Sequence, residues 1–259
     1  MRPLADWPPG ERRALRGVFT DIDDTLTCDG AIEPEALQAL HALREGGLVV
    51  IAVTGRPMGW SLPFASRWPV AAIVPENGAL ALLPDGRQWF VQDAATRARN
   101  ARRLADVAAR VLAEVPGAAL AQDSAGRLTD IAIDHGEFAC LPPERIEQVV
   151  ALMRSEGLTA TVSSIHVNGW IGSHSKWTGA VWIARELLGV DLFAELDRWA
   201  YVGDSTNDQV MFERFRHSVG VANIARFVPR LAHLPRYVTR AERGRGFAEL
   251  ARALIAARA

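Results

Sequence analysis

The stretch Val18-Phe19-Thr20-Asp21-Ile22-Asp23-Asp24-Thr25-Leu26-Thr27 decides the fold. An apolar run that ends in acids reads as a buried strand whose last residues reach a solvent-open loop. Asp21 and Asp23 lie two apart, so an extended backbone sends them to the same side, before the polar turn Cys28-Asp29-Gly30. Carboxylates held that close repel one another unless a cation or a shared proton relieves them. The crowding serves no structural purpose, so it points to chemistry.

Working outward, strands and helices alternate. Glu33 to Arg44 has apolar residues at helical spacing (Leu37, Leu40, Leu43) with Pro34 in the first turn and Gly46-Gly47 at the end. Leu48 to Val53 is a fully apolar strand that stops at Thr54-Gly55-Arg56, and a helix is predicted over Met58 to Trp68. Ala71 to Val74 then runs into Pro75-Glu76-Asn77-Gly78. This order predicts an α/β fold with a doubly wound parallel sheet and function where the strands end.

After Ala79 the rhythm changes. Pro84-Asp85-Gly86-Arg87 between two short strands signals a hairpin, and an Ala/Arg-rich helix is predicted over Ala94 to Val115. Strands near 118–121, 128–133, 159–163 and 165–171, with a helix over 143–155, complete a compact α+β insert. The doubly wound pattern resumes with a helix at Trp177 to Leu188 and a strand at Trp199 to Val202. The latter is followed by Gly203-Asp204-Ser205-Thr206-Asn207-Asp208. The expected organisation is a catalytic core of residues 1–83 and 172–259 with an inserted cap over 84–171.

Composition narrows the partners. Hydrophobic content of 49% and charged content of 23% are ordinary for a globular chain, and a net charge of -1 argues against a nucleic-acid or polybasic membrane surface. Two cysteines without metal spacing suit a reducing compartment, and no apolar run approaches spanning length, so a cytoplasmic protein is expected. Among the 29 Lys and Arg residues, Lys176 is the single lysine. Codon usage accounts for the arginines but not for the lysine that remains.

Polar groups gather at strand ends and helix starts: Asp21 and Asp23, Thr54 with Gly55, Lys176, and Asp204, Asn207 and Asp208. Hard carboxylate oxygens, a hydroxyl and one ammonium suit Mg²⁺ together with a phosphoryl group. In that order the chain resembles the haloacid dehalogenase superfamily of phosphohydrolases. Asp21-Ile22-Asp23-Asp24-Thr25 matches its DxDxT motif, Thr54 its second motif, Lys176 its third and Gly203 to Asp208 its GDxxND motif. The insert resembles the α/β cap of the Cof-like subfamily, which includes sugar-phosphate and sucrose-phosphate phosphatases and phosphomannomutases.

The resemblance implies roles. Asp21 is the nucleophile, and Asp23 the acid and base. Thr54, Gly55 and Lys176 bind the phosphoryl group. Asp21, the main-chain carbonyl of Asp23 and Asp204 hold Mg²⁺, with Asn207 and Asp208 in support. Asn77, His166, Asn168 and Trp170 are candidate substrate contacts, with sheet packing as the competing reading for the last three. The expected activity is Mg²⁺-dependent hydrolysis of a small phosphorylated metabolite, such as a sugar phosphate, through an aspartyl-phosphate. The alternatives are a phosphosugar mutase and, less favoured, a non-catalytic metabolite-binding protein. Two departures stand out. Asp24 occupies a position where many members have Gly, and Trp177-Thr178-Gly179 follows Lys176 where the subfamily has Gly immediately after the lysine. For Arg56 there are two readings, one facing the phosphate and one in a surface ion pair, and the second is the favoured one.

Overall fold

A computed structural model of the chain describes residues 1–258. A nine-stranded sheet runs in the spatial order Arg2–Pro3, Tyr237–Val238, His217–Gly220, Trp199–Gly203, Gly17–Thr20, Val49–Val53, Ala72–Val74, Leu80–Leu82 and Gln88–Phe90. Pairing is parallel through Ala72–Val74 and antiparallel for the last two strands. The mixed α/β architecture with a large parallel sheet is the one the alternation predicts.

Side chains alternate across this sheet with a period of two. Val18, Val50, Ala52, Ala200 and Val202 face a core shared with the helices Pro34–Glu45 and Arg243–Ala256. Phe19, Ile51, Val53, Trp199 and Tyr201 face the opposite core, under the helices Lys176–Leu188 and Gln209–Arg214. Both faces are covered, which is why the central strands are apolar throughout. The sequence pattern did not expose the N-terminal edge strand, which leads through the turn Leu4–Asp6 to Trp7, stacked on His217 and Tyr237.

A second sheet is antiparallel, in the order Thr159–Val162, His166–Trp170, Asp130–Asp134 and Ala119–Leu120. The helices Ala94–Glu114 and Pro143–Ser155 cover one face through Leu104, Val107, Val111, Val149 and Met153, against Ile133 and Val167. By the same alternation His166, Asn168 and Trp170, registered with Asp134, Ala132 and Asp130, take the other face. Gln88–Phe90 belongs to the large sheet, so the insert's own structure begins with Asp93, which caps the first of these helices by accepting from the Thr96 amide. The chain crosses to the insert and back at adjacent points, where Gln92 Nε2 donates to the Ile171 carbonyl at 3.0 Å.

The predicted helix at Trp177 begins one residue earlier, at Lys176, behind a reciprocal cap between Ser175 and Thr178. The predicted helix over Met58 to Trp68 stops at Ala65.

A glycine pair joins that helix to the third strand end. Gly78 has φ +101°, and a Cβ on Gly179 would stand 2.5 Å from Gly78 Cα. The backbones touch with no room for a side chain, which fixes the height of Lys176 above the sheet. Gly179→Ala is therefore expected to cost about 1–3 kcal/mol by overpacking. The test is the thermal unfolding midpoint, and an unchanged midpoint refutes the contact's importance.

Candidate active site

Two strand ends meet at Lys176. Its ammonium, 2% exposed, donates to Asp21 Oδ1 at 2.6 Å and to Asp208 Oδ1 at 2.7 Å. Asp21 follows the central strand and continues its ladder, its amide donating to the Val202 carbonyl at 2.9 Å. Asp208 is fully engaged. Tyr201 Oη also donates to Oδ1, while Oδ2 accepts the amides of Asp204 at 2.9 Å and Ser205 at 3.1 Å. Asp208 thus organises both the lysine and the loop carrying Asp204. Asn207 accepts from Ser205 Oγ at 2.9 Å and braces the same turn.

Asp204 differs from Asp208. It is fully buried and its Oδ1 has no hydrogen-bond partner, while Oδ2 accepts from Asn223 Nδ2 at 3.1 Å. Asp21, Asp204 and Asp208 each place a carboxylate oxygen within 4.8 Å of the others. An orphaned buried oxygen within such a group fits a hard divalent cation, because unpaired buried carboxylates are otherwise too costly. The side chain of Asp23 lies outside this group.

Asp23 instead accepts from Arg56 Nε at 2.8 Å. Arg56 is 3% exposed, so its expected surface ion pair is in fact a buried hub. Its Nη1 donates to Asp123 Oδ2 at 3.2 Å and its Nη2 to Glu137 Oε1 at 2.7 Å, both in the insert. The surface reading failed because the insert closes over the residue. Glu137 Oε2 also lies 2.9 Å from His166 Nε2.

Thr54 is buried at its strand end and accepts the Arg56 amide at 3.0 Å, and Gly55 is crowded by Asn77 and Asn168. Asn77 has φ +54° and an unpartnered buried Nδ2. Asn168 Nδ2 lies 3.4 Å from both the Gly55 carbonyl and Asp130 Oδ2. Of the four candidate substrate contacts, Asn77 and Asn168 pack around Gly55 and His166 reaches Glu137. Trp170 is turned away: its Nε1 donates to the His174 carbonyl at 2.9 Å and its ring stacks on His174.

Four residues that the motifs did not flag complete the surroundings. Asn223 donates to the Asp24 carbonyl as well as to Asp204, and Arg226 donates to Asp24 Oδ2 at 2.6 Å. With Arg243 Nε 3.0 Å from its other oxygen, Asp24 is a clamped turn residue at φ +55° rather than a third catalytic acid. Glu76, fully buried, accepts the amides of Met58, Leu128 and Thr129 and so ties the insert to the third strand end. The available signal was positional: Asn223 and Glu76 each lie just beyond an apolar strand, as Asp21 and Thr54 do.

Burial dominates the electrostatics. It pushes the Asp21 carboxyl up to about 8, against Lys176 and with Asp208 and Asp23 adding to the rise. Burial likewise raises Asp204 well above the usual range, with Asp208 and Asp21 contributing, and raises Asp23 despite Arg56. Burial would lower the Lys176 ammonium, but Asp208 and Asp21 outweigh it and hold its pKa raised. Burial would raise Glu137, but His166 and Arg56 bring it down to about 2.

A sequence model of the haloacid dehalogenase-like hydrolases matches residues 18–110. That match covers the strands of the large sheet that end at Asp21 and Thr54, with Asp23 between them. The chain is 26% identical over 240 residues to a phosphoglycolate phosphatase of Methanothermobacter thermautotrophicus, covering 92% of this chain and 98% of that one. The sucrose-phosphatase of Synechocystis sp. PCC6803, solved with sucrose and phosphate, shares the fold at TM-score 0.66 and 16% identity, covering 93% of this chain and 98% of that one. A haloacid dehalogenase-like hydrolase from B. subtilis does so at TM-score 0.67 and 17% identity, covering 92% and 99%. At those identities the solved structures speak for the fold alone. Among the described residues no helix is long and apolar enough to cross a membrane.

The raised Asp21 carboxyl has a measurable consequence. At Asp21 the folded chain keeps a proton that the unfolded one loses between 3.8 and about 8, so without a cation this group's contribution to stability falls as pH rises through that window. Excess Mg²⁺ should raise the melting temperature most at the alkaline end. A metal-free melting temperature that climbs across the window would refute this electrostatic reading.

Proposed function

We propose that this chain is a haloacid dehalogenase-like hydrolase, a Mg²⁺-dependent phosphatase that hydrolyses a small phosphorylated metabolite through a phosphorylated Asp21. The observation that carries the reading is the buried bridge from Lys176 to Asp21 and Asp208 beside the unpartnered oxygen of Asp204. An anionic nucleophile, a compact cation and a cation-ready carboxylate in one water-poor pocket are what phosphoryl transfer needs. The names of the curated phosphoglycolate phosphatase and of the sucrose-phosphatase support the same class.

In this reading Asp21 attacks phosphorus, forming an O–P bond as the ester O–P bond breaks, and dividing a slow hydrolysis into two steps. Asp23 gives its proton to the departing alkoxide, for which its raised pKa is suited. In the second step Asp23 takes a proton from water as that water attacks the phosphoaspartate, releasing phosphate and restoring Asp21. Arg56 orients Asp23 throughout. Lys176 and the hydroxyl of Thr54 hold phosphoryl oxygens, the ammonium as a compact charge that arginine's planar fork would not replace. Asp21, Asp204 and the main-chain carbonyl of Asp23 would hold Mg²⁺, which neutralises the charge of the approaching anion. Asn207 and Asp208 support that set, and Asn77, His166 and Asn168 border the substrate.

Asp21→Asn is expected to reduce phosphate release from p-nitrophenyl phosphate with Mg²⁺ by at least about 10³-fold, since the nucleophile itself is lost. Turnover close to wild type would sink the mechanism. Arg56→Lys keeps the charge but loses the fork that reaches both Asp23 and Glu137. It should lower kcat more than it raises KM, as steady-state kinetics on the same ester will show.

A further inference from the structure

The insert presents two turns to the cleft, Gly136 to Phe138 and Ser164 to Ile165, and the first is a reading loop held by a side-chain anchor. The Asp134 carboxylate accepts four successive amides: Gly136 at 3.1 Å, Glu137 at 2.9 Å, Phe138 at 2.9 Å and Ala139 at 3.1 Å. The tip so held sends Glu137 inward to Arg56 and His166 and leaves Phe138 65% exposed at the rim. A cleft of about 300 Å³ lies beneath it, bordered by Asp23, Asp29, Arg56, Glu137, Arg226 and Arg243.

Every arginine of that cleft is already committed. Arg56 is shared among Asp23, Asp123 and Glu137, while Arg226 and Arg243 pair with Asp24. We propose that Glu137 is a charge filter for the leaving group, admitting phosphate esters of neutral hydroxylated alcohols and rejecting those whose alcohol carries a carboxylate. This rests on the phosphatase reading above and sets the chain apart from the activity that its phosphoglycolate relative is named for.

The geometry places the filter beside the leaving group. The group that protonates the leaving oxygen, Asp23, and Glu137 share one guanidinium, at 2.8 Å and 2.7 Å. The atoms next to the leaving oxygen must therefore lie near Glu137. Glu137 Oε1 accepts a single bond and has a lone pair to spare for a hydroxyl donor. A second carboxylate would meet the Glu137 carboxylate in a cleft whose arginines are already paired. Taking Arg56 for itself would strand Glu137 beside the same guanidinium. Phe138 offers an apolar face to the carbon skeleton of a polyol or sugar.

The test compares kcat/KM of the wild type, with Mg²⁺, on glycerol 1-phosphate and 2-phosphoglycolate. A preference of at least about tenfold for the glycerol ester is expected, since like-charge juxtaposition in a partly desolvated site is costly. Raising the salt concentration should narrow that ratio by screening, a readout that needs no variant. Glu137→Gln keeps the shape and the acceptor, and should raise kcat/KM on phosphoglycolate several-fold without raising it on the glycerol ester. A wild type that uses phosphoglycolate as well or better overturns the filter, as does a variant that loses the same factor on both esters. If the wild type turns over neither ester nor p-nitrophenyl phosphate, the phosphatase reading falls and the filter with it.

Discussion

Everything near the centre follows from the burial of three carboxylates around one ammonium. Asp21, Asp204 and Asp208 are at most 4% exposed, and like charges so placed are costly unless each is met by a donor or a cation. Asp208 meets the requirement with four donors and Asp21 with Lys176. Asp204 is left with one oxygen unmet. The surrounding architecture serves this arrangement: parallel strands deliver the acids to one edge, the Ser175 cap starts the lysine's helix, and the Gly78–Gly179 contact sets how close that helix comes.

Arg56 carries the same charge problem into the insert. It is bound to Asp23 on one side and to Asp123 and Glu137 on the other, so its position depends on the insert being down. Glu76 works from below, reaching up from the third strand end to the amides of Leu128 and Thr129. Thr206, in the loop that carries Asp204 and Asp208, donates its hydroxyl to the carbonyl of Val162 in the insert's outer strand. The insert is thus joined to the acid-bearing loops themselves.

The sequence made the sheet and the four-part constellation legible because both are local. An apolar strand that stops at Asp21, Thr54 or Asp204 announces itself within about ten residues. Partners assembled only by tertiary folding were harder to see. Asn223, Arg226 and Arg243 sit in segments whose composition marks nothing, yet they give Asp24 its place. Arg56 looked like a surface residue because its burial depends on Asp123 and Glu137, both far along the chain. Trp170 sat beside His166 and Asn168 on one face of a strand, but its indole found a local acceptor at His174 and packed there.

The crossing points of the insert deserve a last thought. Gln92 donates to Ile171, so the chain leaves the large sheet and returns to it at nearly one place. The sheet's strand order is the same whatever lies between those residues. Changes in the insert can therefore leave the strands that carry Asp21, Thr54 and Asp204 in place, while any change at Glu137 reaches Asp23 through Arg56. The framework of the chemistry and the choice of molecule are inherited apart in this chain, except at the one guanidinium that joins them.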